Sequence, residues 1–226
     1  MKGQMVEFQS NGRTTSGYLT APETGKGPGV IVIQEWWGLV PHIKDVAERF
    51  AQTGYVALAP DLYHGASTTS PDEAGRLMMG MKIDLAERDL AGAISYLLKH
   101  NTVVGNGVGT VGFCMGGALS LYAATKNRDV GACVVYYGGH PSVKPKLEDL
   151  NAPLLGLYAE KDSFVTVQSV HDLENNLKKL GKQAEIHIYP GVDHAFFNDT
   201  RSDVYSRQAA EDSWKRVISF FSKHLG

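Results

Sequence analysis

Short apolar runs alternate with helical segments along almost the whole chain, and this alternation is the strongest constraint on its fold. Gly29 to Glu35 reads as a strand apolar on both faces, Tyr55 to Pro60 as a second buried strand, and Val108 to Phe113, Val130 to Tyr137 and Pro153 to Tyr158 as further ones. The final strand is Ala184 to Tyr189. Strands apolar on both faces belong inside a mostly parallel sheet, because helical crossovers cover each side. Helical spacing fills the intervals: Ile43 to Gln52, Asp72 to Met81, Ile83 to His100, Met115 to Thr125, Val167 to Leu180 and Arg207 to Leu225. The fifth of these stops at Gly181 with lysines in its last turn, as the helix dipole and the glycine C′ position favour. A doubly wound α/β fold follows, a mostly parallel twisted sheet with helices on both faces and its ligands at the carboxyl ends of the strands. Before it, Met5 to Phe8 and Thr15 to Thr20 flank Asn11-Gly12, which predicts an antiparallel hairpin.

With 226 residues the chain suffices for one sizeable core, so a single domain over 1–226 is expected. A formal charge of −2 supplies no electrostatic reason to expect nucleic acid or an anionic membrane. No apolar leader opens the chain and no run of about 18 apolar residues follows, so a cytoplasmic protein is expected. Cys114 lies in a turn and Cys133 inside the Val130 to Tyr137 run, settings that favour two reduced thiols over a disulfide. No ligand spacing points to a metal, and no cofactor is expected. The methionines Met78, Met79 and Met81 read as packing residues.

The chemistry centres on Gly112-Phe113-Cys114-Met115-Gly116-Gly117. Here G-x-C-x-G joins a strand to a helix, the form of a nucleophile elbow with cysteine in the serine position. A thiol at a helix N-terminus sits beside partial positive charge and free N–H groups, which favour thiolate and can hold a developing oxyanion. A lone G-x-C-x-G is also compatible with a buried turn thiol, so the partners decide. Glu35, Cys114, Asp162 and His194 each follow a strand and so fall at the same sheet edge. Nucleophile, acid, histidine is the order of an α/β-hydrolase fold. In this reading His194 takes the Cys114 proton and later protonates the leaving alkoxide, and Asp162 orients the imidazole. Asp193 competes for the acid role, although its adjacency to His194 places it poorly for the far ring nitrogen. The backbone N–H groups of Met115 and Trp36 form the expected oxyanion hole. Glu35 against the elbow would compete for the thiol proton.

These pieces resemble the dienelactone hydrolase family over essentially the whole length. The resemblance rests on Val32-Ile33-Gln34-Glu35-Trp36-Trp37-Gly38, Ala59-Pro60-Asp61-Leu62-Tyr63, the Cys114 elbow, Tyr136-Tyr137-Gly138, the Asp162 loop and Asp193-His194-Ala195-Phe196. It implies a Cys114, His194, Asp162 triad, and a Glu35 that protects the resting thiol until substrate arrives. It also implies a small-molecule lactone or ester substrate, the family's type reaction opening 4-carboxymethylenebut-2-en-4-olide to maleylacetate. The type enzymes bind the substrate carboxylate with two arginines. Here the segment after Asp61-Leu62-Tyr63, where the first is expected, offers Arg76, and Asn198 stands about where the second is expected, shortly after the histidine, with Arg201 three residues on. A neutral amide cannot replace a guanidinium as a bidentate clamp, which puts dienelactone itself in doubt as substrate. Trp36, Trp37, Tyr137 and Phe196 are candidate pocket walls. Carboxylesterase or thioesterase action on other, neutral esters and a catalytically silent binding protein are the competing readings. A class I glutamine amidotransferase fits poorly, since its His-x-Glu is absent at His194-Ala195-Phe196. A monomer or small homo-oligomer is expected.

Overall fold

A computed structural model describes residues 3–10 and 12–225; Met1, Lys2 and the Asn11 half of the Asn-Gly turn lie outside the described residues. The strands are β1 (Gln4–Ser10), β2 (Arg13–Thr20), β3 (Gly27–Ile33), β4 (Val56–Pro60), β5 (Val103–Phe113), β6 (Val130–Tyr136), β7 (Leu154–Ala159) and β8 (Ala184–Tyr189). The helices are α1 (Pro41–Gln52), α2 (Pro71–Gly80), α3 (Ile83–Lys99), α4 (Met115–Lys126), α5 (Val167–Lys179) and α6 (Arg207–Leu225). All strands join one sheet in the order β1-β2-β4-β3-β5-β6-β7-β8. The β1–β2 hairpin is antiparallel, with Ser10 opposite Arg13, and β2 runs antiparallel to β4. From β4 to β8 every pairing is parallel.

The apolar runs explain why the sheet is covered on both sides. Val30, Ile31, Val32 and Ile33 are all fully buried, so alternate side chains of β3 find a core above and below the sheet. Full burial of one such side chain contributes roughly 1.5–3 kcal/mol. On one face Phe50 of α1 packs against Trp214 and Phe221 of α6, with ring centroids 4.6 and 5.9 Å apart. Leu90, Ala93, Ile94 and Leu97 supply the buried stripe of α3, at the i, i+3, i+4, i+7 spacing of an amphipathic helix. β5 starts at Val103, five residues earlier than the apolar pattern predicts, because Gly105 and Gly107 break that pattern while Val103 still pairs with Gly27 across a bulge. Tyr137, read as the end of a strand, lies just beyond β6 with φ at 37°. Met78 is buried as read, whereas Met79 is 60% exposed and packs against nothing that would justify calling it core. No helix among the described residues is long and apolar enough to cross a membrane.

Candidate active site

Cys114 is the single residue between β5 and α4, at φ 54°, ψ −119°. A non-glycine residue in such a region stores on the order of 1–3 kcal/mol of strain. Backbone bonds hold it there: Cys114 N–H donates to Tyr136 O at 3.1 Å, and Cys114 O accepts from Gly117 N–H at 2.9 Å. The flanking glycines are sterically required. A Cβ on Gly112 would stand 1.9 Å from Gly116 O, and one on Gly116 would stand 2.4 Å from both Ile33 O and Gln34 O. The start of α4 is thus pressed against the end of β3, which brings the Met115 and Trp36 segments together. As the first residue of α4, Met115 has no intrahelical acceptor for its N–H.

His194 follows β8, and its Nδ1 lies 2.5 Å from Asp162 Oδ2. The other Asp162 oxygen accepts from the N–H groups of Phe164 and Val165 at 2.8 and 2.9 Å, which fixes the carboxylate. Asp193 is exposed, so the pairing goes to Asp162. Burial by itself pulls the His194 pKa down; the Asp162 carboxylate and the Cys114 sulfur outweigh it and push the pKa up to about 10. Four non-glycine residues have positive φ among the described residues, and three of them, Cys114, Tyr137 and Ala195, surround this pair.

Glu35 is 1% exposed and lines the same cavity as Cys114, Asp162 and His194. Burial raises its pKa above the ordinary carboxylate value, opposed by a hydrogen bond from Asn198 and by the charges of His194 and Arg201. That bond, Asn198 Nδ2 to Glu35 Oε2, is 2.8 Å long. The cavity encloses about 210 Å³ and also meets Trp36, Trp37 and Arg201. Among the described residues no group of three or more His, Cys, Asp and Glu side chains is placed to hold a metal ion.

The other expected site residues divide between the cavity and its surroundings. Arg76 is mostly exposed, pairs with Glu73 one helical turn away and does not line this cavity. Phe196 is fully buried among Tyr136, Tyr137 and Tyr189, a core side chain and not a wall. Tyr137 is also fully buried and backs the His194 ring at 4.9 Å between centroids. Asn198 is 2% exposed and faces Glu35. Trp37 and Arg201 do reach the cavity, and the Arg201 guanidinium is also paired with Asp203 at 2.5 Å. Met78 of α2 and Phe164 after β7 complete its walls. Neither was legible as a site residue, because each arrives from a loop or helix whose approach no local pattern encodes. Tyr63, whose hydroxyl donates to Met115 Sδ at 3.3 Å, supports the elbow from below.

The Dienelactone hydrolase family model matches residues 15–225. "Protein usf" of Aquifex pyrophilus is 41% identical over 99% of both chains. A protein of Aquifex aeolicus named "Putative carboxymethylenebutenolidase" is 36% identical, again over 99% of both. Among solved structures, that of a "Putative Dienelactone Hydrolase" from Klebsiella pneumoniae superposes with a TM-score of 0.88 at 31% identity, covering 99% of this chain and all of the other.

Proposed function

The chain belongs to the dienelactone hydrolase family and is a hydrolase, and from that premise we propose that Cys114, His194 and Asp162 act as a triad that opens a lactone or small carboxylic ester through a thioester. The observation that carries this reading is the 2.5 Å His194–Asp162 pair opening into one cavity with the strained Cys114. With the proton on His194 and the charge on sulfur, the thiolate attacks the carbonyl carbon, and the carbonyl π electrons move to oxygen. The N–H groups of Met115 and Trp36 receive that oxyanion; one such donor is worth about 10²–10³ in rate. Collapse re-forms the carbonyl and breaks the C–O bond, and the alkoxide takes the His194 proton. Water then attacks the thioester with His194 as base, releasing the acid and returning the thiolate–imidazolium pair. Asp162 stays ionised throughout and steadies the imidazolium.

Glu35 in this scheme sets the resting state of the thiol. An ionised carboxylate in the same small cavity disfavours thiolate, whereas a protonated one does not, and burial biases Glu35 toward protonation. Among the described residues Arg201 is the one guanidinium lining the cavity, so a substrate carboxylate has a single arginine partner there and not a pair. The withdrawal of Asn198 to Glu35 favours a second reading, preference for a neutral ester. Turnover of dienelactone beside p-nitrophenyl acetate separates them, with Cys114→Ala as control. Cys114-dependent lactone opening supports the first reading, and Cys114-dependent turnover of the ester alone supports the second. Activity that survives in Cys114→Ala overturns both.

A further inference from the structure

Beside the catalytic cavity lies a second, of about 450 Å³, and Trp37 and Arg201 belong to the walls of both. Three loops at the carboxyl edge of the sheet build it. The loop after β3 contributes Trp37 and Val40 and runs into α1 at Pro41, the loop after β4 contributes Thr68 and Thr69, and the loop after His194 contributes Asn198, Thr200 and Arg201. The first two loops are fastened together by an antiparallel bridge between Gly38 and Ser67 and by Thr68 N–H donating to Trp37 O at 3.0 Å. Gly38, at φ 93°, permits that approach, since a Cβ there would meet Ala66 O at 2.6 Å. The third loop is held by Asn198, whose Oδ1 accepts from Thr200 N–H and Oγ1–H at 3.1 and 2.6 Å. A cavity with walls fixed in this way is formed before any ligand arrives.

His42 of α1 also lines it; the residue is 4% exposed, and among the described residues neither ring nitrogen, both closed to solvent, has a hydrogen-bond partner, with Nδ1 3.4 Å from Asp199 Oδ1. Burial keeps that imidazole neutral by lowering its pKa, and Asp199 is occupied by Arg49. Among the described residues Arg201, at the boundary and already paired with Asp203, is the one cation in the lining, so the cavity away from it favours an uncharged group. The direction of the substrate follows from the leaving group. An alkoxide that takes its proton from His194 must lie against that ring, and His194 lines the catalytic cavity but not its neighbour.

We propose that the second cavity is the acyl subsite of the hydrolase, built for an uncharged, largely apolar acyl arm such as an arylalkyl group. The proposal rests on the triad reading above and adds the substrate class to it. The test holds the leaving group constant and varies the acyl group: p-nitrophenyl 4-phenylbutanoate against p-nitrophenyl acetate, each with wild type and with Thr69→Trp. Thr69 is exposed at the cavity rim, so an indole there fills space without entering the core. Wild type is expected to prefer the long acyl group in kcat/KM by about tenfold or more, the scale set by burying a few methylene groups. Thr69→Trp should cut that ratio by about the same factor. If the indole prevents folding, Thr69→Phe gives the same readout. An unchanged ratio in a folded, Cys114-dependent variant overturns the subsite and leaves the triad standing, whereas wild-type inactivity on both esters overturns both.

Discussion

Asn198 Nδ2 donates to Glu35 Oε2 at 2.8 Å, and the two side chains are 2% and 1% exposed. The amide is a neutral partner for a carboxylate that burial would otherwise drive to its protonated form, so it holds the Glu35 pKa lower than the site alone would. Through Thr200 the same amide ties the carboxylate to the loop that carries Arg201.

Removing the amide should therefore be visible at the thiol. In Asn198→Ala the inflection of the Cys114 alkylation rate against pH that vanishes in Glu35→Gln is expected to move upward by about one unit, the scale of a lost charge-assisted hydrogen bond. Stability should fall by about 1–3 kcal/mol, since Glu35 loses its buried partner. An alkylation profile indifferent to Asn198 would uncouple the pair.

Cys114 should invert a familiar order of substitutions. At most positions alanine is more stabilising than glycine, but at φ 54° the Cβ is the source of strain. Cys114→Gly is expected to be more stable than Cys114→Ala by about 1 kcal/mol in urea unfolding, and both should lose hydrolysis by at least about 10⁴-fold. Equal stabilities would mean the turn relaxes once the thiol is gone.

For His194 the folded pKa of about 10 lies above the ordinary value of 6.5. The stabilisation from its charged form is then fully present below pH 6.5 and is lost as pH rises through about 10. Asp162→Asn removes much of what raises that pKa. The stability gap between wild type and Asp162→Asn, read from urea unfolding, should be wide near pH 6 and narrow toward pH 10. A gap that widens with pH would contradict the assigned pairing.

Arg201→Gln is expected to lower the ratio of kcat/KM for dienelactone to that for p-nitrophenyl acetate by about 10- to 100-fold, the worth of one charge-assisted contact to a carboxylate. Arg76→Gln should leave that ratio as it is, because Arg76 is held by Glu73 away from the cavity. The opposite pattern would place the acid-binding group on α2.

The parts of this site that were legible in the sequence are those fixed by strand ends. Val108 to Phe113 had to be a strand and Met115 onward a helix, so Cys114 between them had to be a turn, and Asp162 and His194 follow strands at the same edge. Arg76, Asn198 and Phe196 were harder, because their direction depends on how helices and loops pack and not on local pattern. Asn198 matched a position where a substrate-facing cation is expected, yet a shorter neutral side chain finds its partner in Glu35 instead. Phe196 stands two residues after His194, and the positive φ of Ala195 turns it into the core.

The sheet order separates the proposed nucleophile and base in a further way. Cys114 is mounted on β5, which is paired on both sides by β3 and β6, whereas His194 follows β8, an edge strand paired among the described residues only with β7 and fully buried nowhere along its length. Strands of this kind open locally at less cost than the interior of a sheet. On warming, β8 can detach and take the histidine with it while the central strands remain folded. Activity is then expected to fade reversibly below the temperature of global unfolding, with amide exchange fastest along Ala184–Tyr189.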